Sequence, residues 1–182
     1  MRKGFTLIEM LIVVTLLSIL LAVAIPFMRV SPTRKVALAA QQLTRDIELA
    51  RTRALSTKKA VRLTFDESEK VYKGYVDHDG DGEFTESEAE MQALGTFRWR
   101  ELPAGIGFGR GSVGAVPGDS GSGAVTFADS RVEFNGRGVT TPFGTRGVVY
   151  FVHRDQDDAV AAVSVTGSGS VKSWVFRGGE WQ

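Results

Sequence analysis

Twelve residues of this 182-residue chain, Asp77-His78-Asp79-Gly80-Asp81-Gly82-Glu83-Phe84-Thr85-Glu86-Ser87-Glu88, carry the clearest chemical pattern in it. They meet every fixed position of a D-x-D-x-D-G-x5-E loop. Asp77, Asp79 and Asp81 would offer hard carboxylate oxygens to a calcium ion, Glu83 its carbonyl and Glu88 both side-chain oxygens. Calcium loops of this kind sit between two helices, whereas this one follows an alternating, strand-like stretch. Two readings stand: a calcium site that stiffens a turn, or a turn whose short acidic side chains hydrogen-bond the backbone. Catalysis has no comparable support. His78 lies inside the acidic loop and His153 near the end of a strand-like run, neither in a motif, and there is no Cys to act as nucleophile, disulfide partner or thiolate ligand. No nucleophile elbow, phosphate loop, HExxH or dinucleotide fingerprint occurs, so the chain is expected to be no enzyme and to require no cofactor.

Two further charged features call for a reason. Glu9 stands at the edge of an apolar run: residues 10–28 hold no charge, and as a helix they would cover about 29 Å, the thickness of a bilayer core. A carboxylate costs about 3 kcal/mol on insertion scales at the centre of a span and less at its edge, and in either place calls for a partner or a task. Near the other end, Lys172 and Arg177 flank Trp174, a small basic patch of the kind that meets phosphate.

The elements that position these groups follow from patterning. Arg2 and Lys3 precede the apolar run and favour a cytoplasmic N-terminus, although Arg29, Arg34 and Lys35 weaken the asymmetry. A secretory signal would find a small-x-small site at Ala22-Val23-Ala24 but is entered here by an acid, and a plain signal anchor leaves Glu9 without a role. Ser31-Pro32-Thr33 can start a new helical stretch, with Ser31 as cap and Pro32 in the first turn. Val36, Ala40, Leu43, Ile47, Ala50 and Ala54 then form one apolar stripe that must rest on a folded head. Eight basic residues between 29 and 59, against Asp46 and Glu48, have two readings, a nucleic-acid patch or, more simply, a solvated helix face near anionic lipid.

Lys3-Gly4-Phe5-Thr6-Leu7-Ile8-Glu9-Met10 resembles the processing site of type IV pilins and type II secretion pseudopilins. The resemblance implies a leader, residues 1–4, cleaved after Gly4 by a prepilin peptidase that also N-methylates Phe5. It also implies that Glu9 pairs with the new amino terminus of a neighbouring subunit on assembly. Pro26 matches the family's late proline, which bends or loosens the helix. The resemblance places the chain in a bacterial inner membrane as a single-pass protein with its C-terminal head in the periplasm, and then in a periplasmic fibre or pilus. Its partners would be membrane lipid before assembly and, through N-terminal helices, other pseudopilins or minor pilins.

From residue 59 the period changes from helical to alternating. Residues 60–65 and 71–76 read as a hairpin, and strands are expected at 96–101, 124–127, 131–134, 147–153, 159–166 and 171–176. The Gly/Ser/Pro-rich stretch 105–123 reads as a long mobile loop. Val132-Glu133-Phe134-Asn135-Gly136-Arg137-Gly138 with Pro142-Phe143-Gly144, and Ala162 to Gly169, are similar to the GspH/FimT branch of the same family. The expected architecture is therefore α+β and pilin-like: a hydrophobic helix, 5–28; an amphipathic half, 29–58; and an antiparallel β-rich head, 59–182. The implied function is that of a structural minor pseudopilin of a type II secretion system. The alternative is a FimT-like minor pilin acting in pilus assembly or DNA uptake, for which Lys172 and Arg177 are the candidate residues and DNA the partner.

Overall fold

The computed structural model describes residues 5–27, 31–84 and 99–182, and the chain divides into two compact units, Met1–Ser31 and Pro32–Gln182. The first unit holds helix α1, Leu7–Phe27. Leu, Ile, Val and Ala occupy its whole circumference and not one stripe. Its hydroxyls are satisfied internally: Thr15 Oγ1 donates to Leu11 O at 2.7 Å and Ser18 Oγ to Val14 O at 2.8 Å. Turned back on the helix in this way, they leave the outer surface apolar. Among the described residues no helix is long and apolar enough to cross a membrane. The expected apolar span ends on Met28, outside the described residues.

The second unit begins with helix α2, Pro32–Thr57, whose first residue has the fixed φ that a helical first turn accepts. The strands β1 (Val61–Asp66), β2 (Val71–Val76), β3 (Trp99–Glu101) and β5 (Arg131–Phe134) form one antiparallel sheet in the order β3-β2-β1-β5. A second sheet, β4-β6-β7-β8-β9, joins Ile106–Phe108, Gly147–His153, Gln156–Val165, Val171–Arg177 and Glu180–Trp181. The α+β architecture is thus as expected, with the single head sheet resolved into two.

The stripe expected on α2 is buried throughout, with Val36, Ala40, Leu43, Ile47, Ala50 and Ala54 all at 0% exposure. It packs in one cluster with Val61, Leu63 and Phe65 of β1, Val149 and Phe151 of β6, and Ala161 and Val163 of β7. Residues 148–151 of β6 and 159–163 of β7 are unbroken apolar runs because both faces are covered there. Their other face carries Val148, Tyr150, Val160 and Ala162, which pack with Val113 and Val116. Asp46 also lies on the buried side of α2, and its carboxylate ties the helix to the first sheet. It accepts from Tyr72 Oη at 2.5 Å, Arg100 Nε at 2.8 Å and Gln42 Nε2 at 3.1 Å.

The Gly-rich stretch is the largest correction to the expected map. It contains β4 and then straps the outer face of the second sheet, where Val113 and Val116 are buried. Tyr150 Oη donates to Asp119 Oδ2 at 2.6 Å and accepts from Val116 N at 3.0 Å, and Arg110 bridges Asp119 and Gly121 O. Glycine is required where the strap touches the sheet. Gly111 has φ +55°, and a Cβ there would lie 1.9 Å from Asp157 O. Apolar residues are sparse in the strap, so patterning hides a segment held mainly by one tyrosine, one ion pair and backbone contact. Residues 124–127 form no strand; only Val125 bridges Val149. β3 begins at Trp99, with residues 96–98 of the expected strand outside the described residues, and the two-residue β9 was too short to announce itself.

Candidate functional site

At the N-terminus, Gly4 lies outside the described residues, while Phe5 is 73% exposed ahead of α1. Thr6 accepts the Glu9 N–H on Oγ1 at 3.2 Å, and Met10 N donates to Thr6 O at 3.2 Å. This is one half of a capping box, and its S/T-x-x-E signal, Thr6-Leu7-Ile8-Glu9, was legible in the sequence beside the processing motif. The cap places Glu9 in the first turn of α1, where the exposed N–H groups favour a negative charge. The Glu9 side chain is exposed and makes no ion pair among the described residues. An amino group released at Phe5 on one helix and a carboxylate at Glu9 on another form a charge pair that an apolar bundle would enforce.

The acidic loop follows β2 directly. Asp77 is buried, with Oδ1 accepting from Gly80 N at 2.6 Å and Oδ2 from Gly82 N at 3.2 Å. Asp79 accepts from Asp81 N at 3.4 Å and Asp81 from Glu83 N at 2.7 Å. The Asp81 N–H is the first cause holding the Asp79 carboxyl below its usual value. Lys59 Nζ bonds the His78 carbonyl. These bonds satisfy the backbone-turn reading. The calcium reading also finds geometry: one oxygen from each of Asp77, Asp79 and Asp81 lies within 4.8 Å of the others. Three such oxygens are half of the smallest calcium shell. Glu83 is exposed beside them, and Glu88 lies outside the described residues.

Of the two histidines, His153 is buried at the end of β6, its Nδ1 accepting from Asp155 N at 3.2 Å. Near the C-terminus, β8 carries both residues of the basic pair. Successive residues of a strand face opposite ways, so Lys172 and Trp174 share one face and Arg177 takes the other. Lys172 Nζ lies 3.4 Å from the centre of the Trp174 ring, occupying a face on which a base would stack, and Arg177 is opposite Glu180 on β9. Arg146 lines the same cleft as Lys172 and Trp174. Nothing in the sequence pattern linked residues 26 apart, because the link is the antiparallel pairing of β6, β7 and β8.

Comparison with known proteins gives two family matches. The prokaryotic N-terminal methylation motif matches residues 1–25, and the Type II transport protein GspH matches residues 39–169. Among solved structures, the minor pseudopilin EpsH from the type II secretion system of Vibrio cholerae aligns at TM-score 0.55 and 12% identity, over 82% of this chain and 100% of that one. A second structure of EpsH aligns at TM-score 0.54 and 10% identity, over 78% and 97%. The type IV minor pilin FimU of Pseudomonas aeruginosa aligns at TM-score 0.50 and 13% identity, over 81% and 92%. At these identities the likenesses establish the fold. No curated protein matches the chain.

Proposed function

The chain belongs to the family of the Type II transport protein GspH, and from that membership we propose that it is a structural minor pseudopilin of a type II secretion system. Its task is to be stored in the inner membrane by residues 5–28, with the head in the periplasm, until it enters a fibre. Prepilin peptidase removes residues 1–4 after Gly4 and methylates Phe5. The observation that carries the reading is Glu9: an acid at the head of an all-round apolar helix, with no ion pair of its own among the described residues. A plain anchor gains nothing from it, whereas a fibre gains register, because the charge is matched only when a neighbour's amino terminus arrives. The chain acts by assembly, not catalysis. A calcium ion bound by Asp77, Asp79 and Asp81, with Glu83 and Glu88, would cross-brace the loop after β2.

The pleat of β8 turns Lys172 and Arg177 to opposite faces, which speaks against one shared DNA contact in the minor-pilin alternative. Complementing a deletion strain with Glu9→Ala tests the assignment. The variant is expected to be cleaved and methylated yet absent from fibres, with secretion unrestored. Normal incorporation would refute the pairing. A deletion that abolishes DNA uptake and spares secretion would favour the minor pilin.

A further inference from the structure

A cleft of about 480 Å³ opens on the outer face of the second sheet, between the strap and β8. Arg146 and Lys172 line it together with Trp174 and the hydroxyl residues Thr126, Ser164 and Ser170. Asp119 also lines it, but its carboxylate is taken by Arg110 and Tyr150 and its side chain is 6% exposed. The cleft therefore presents two cations, neither in an ion pair among the described residues, with no free acid to offset them. Its floor is rigid: Trp174 Nε1 donates to Ser164 Oγ at 2.9 Å, and Lys172 lies against the indole.

Beside the cleft stands an apolar anchor. Phe143 is 86% exposed, the only large hydrophobic side chain so exposed in the described part of the second unit outside α2. The turn that bears it is fixed, since Thr145 N donates to Pro142 O at 3.0 Å and Thr140 N to Gly167 O at 3.3 Å. A Cβ at Gly167 would lie 2.6 Å from the Gly144 Cα, so this turn abuts the 166–169 turn, whose Thr166 lines the cleft. An aromatic held out on a rigid turn, next to unpaired cations, is the composition of a binding anchor.

We propose that Phe143, Arg146, Lys172 and Trp174 form a docking surface for an acidic segment of a neighbouring fibre subunit, one that pairs carboxylates with an apolar residue. The cations receive the carboxylates, and Phe143 packs on the apolar side chain. The neighbour's identity as a fibre subunit rests on the pseudopilin reading; the chemistry of the surface does not. DNA is the competing polyanion, but the Trp174 face it would stack on is covered by Lys172 and the cleft is closed at one side by the strap.

A suitable probe is a synthetic peptide of this chain's own residues 77–90, which holds seven acids (Asp77, Asp79, Asp81, Glu83, Glu86, Glu88, Glu90) and Phe84 with no Lys or Arg. It is titrated into the full chain in non-ionic detergent while the Trp174 indole N–H is followed by NMR, with oligothymidylate as a second arm. The expected result is a saturable shift of that resonance by the peptide. The double variant R146E/K172E should weaken binding at least about tenfold, as should Phe143→Ala. An unchanged amide spectrum elsewhere would show that the variants remain folded. No shift at low salt, peptide binding indifferent to R146E/K172E, or tighter binding of oligothymidylate through the same residues would each overturn the proposal. Because the titration uses no secretion machinery, its failure would leave the Glu9 incorporation test untouched, and the reverse holds too.

Discussion

Removing the Asp46 carboxylate is expected to loosen the head more than any other single polar deletion on α2. Asp46 accepts three donors, from Tyr72, Arg100 and Gln42, and Tyr72 is itself 1% exposed. Breaking a buried charge pair by deleting one partner costs about 3–5 kcal/mol. The side chain of Arg100 keeps 34% exposure against 6% for Asp46, so the guanidinium can turn to water and the lower end applies. The Tyr72 hydroxyl cannot, and its loss of an acceptor contributes about 1–3 kcal/mol of that total. Asp46→Ala should therefore cost about 3 kcal/mol, or a fall in melting temperature of roughly 6–12 °C for a chain of this size. Arg100→Ala should cost less, because Asp46 then retains Tyr72 and Gln42. Denaturation of the full chain in detergent, followed by the fluorescence of Trp99, Trp174 and Trp181, measures both. A loss below about 1 kcal/mol for Asp46→Ala, or a larger loss for Arg100→Ala, would refute the assignment of Asp46 as the hub.

The remaining expectations concern the strap, the alkaline limit and calcium. Gly111→Ala should destabilise the head by at least about 2 kcal/mol, since it combines a positive φ with a Cβ at 1.9 Å from Asp157 O; an unchanged melt would show that the strap is loose. Burial, then the bond to Asp46, pushes the Tyr72 phenol up, and burial, then Asp119, pushes Tyr150 up to about 12. In the unfolded chain both ionise near pH ~10, so their contribution is whole below that pH and is lost as pH rises through the folded values. Stability should thus decline above pH ~10, and the double variant Y72F/Y150F should flatten the decline; an equal slope in the variant would contradict the cause. If Asp77, Asp79 and Asp81 hold calcium, millimolar calcium should raise the melting temperature and Asp79→Ala should abolish the rise, whereas an identical melt with calcium and chelator would leave only the backbone-turn reading.

How much of this was readable in advance depended on whether a feature is local. The α2 stripe and β1, β2, β5 and β6 were all legible because helix and strand periods are written into consecutive residues. The strap was misread because what holds it is non-local: Arg110, Asp119 and Tyr150 meet across 9 to 40 residues, and no window contains them all. Asp46 looked like an ordinary surface acid on a charged helix until Tyr72 and Arg100 closed on it. The N-terminal site was the reverse case, a short motif whose whole chemistry lies within Gly4 to Glu9. The acidic loop was legible as a template, and three of its carboxylates do gather, yet backbone N–H groups occupy oxygens of all three. That Lys172 and Arg177 face opposite ways follows from parity alone, because five residues along a strand is an odd step.

Processing at Gly4 and entry into a fibre are the core of the assignment, and mass spectrometry of the N-terminal peptide from the isolated fibre fraction tests them together. The predicted result is a peptide beginning at N-methylated Phe5, recovered with the other subunits. A chain that keeps Met1 to Gly4, one that begins at Ile25 after cleavage beyond Ala24, or one absent from the fibre fraction would contradict it.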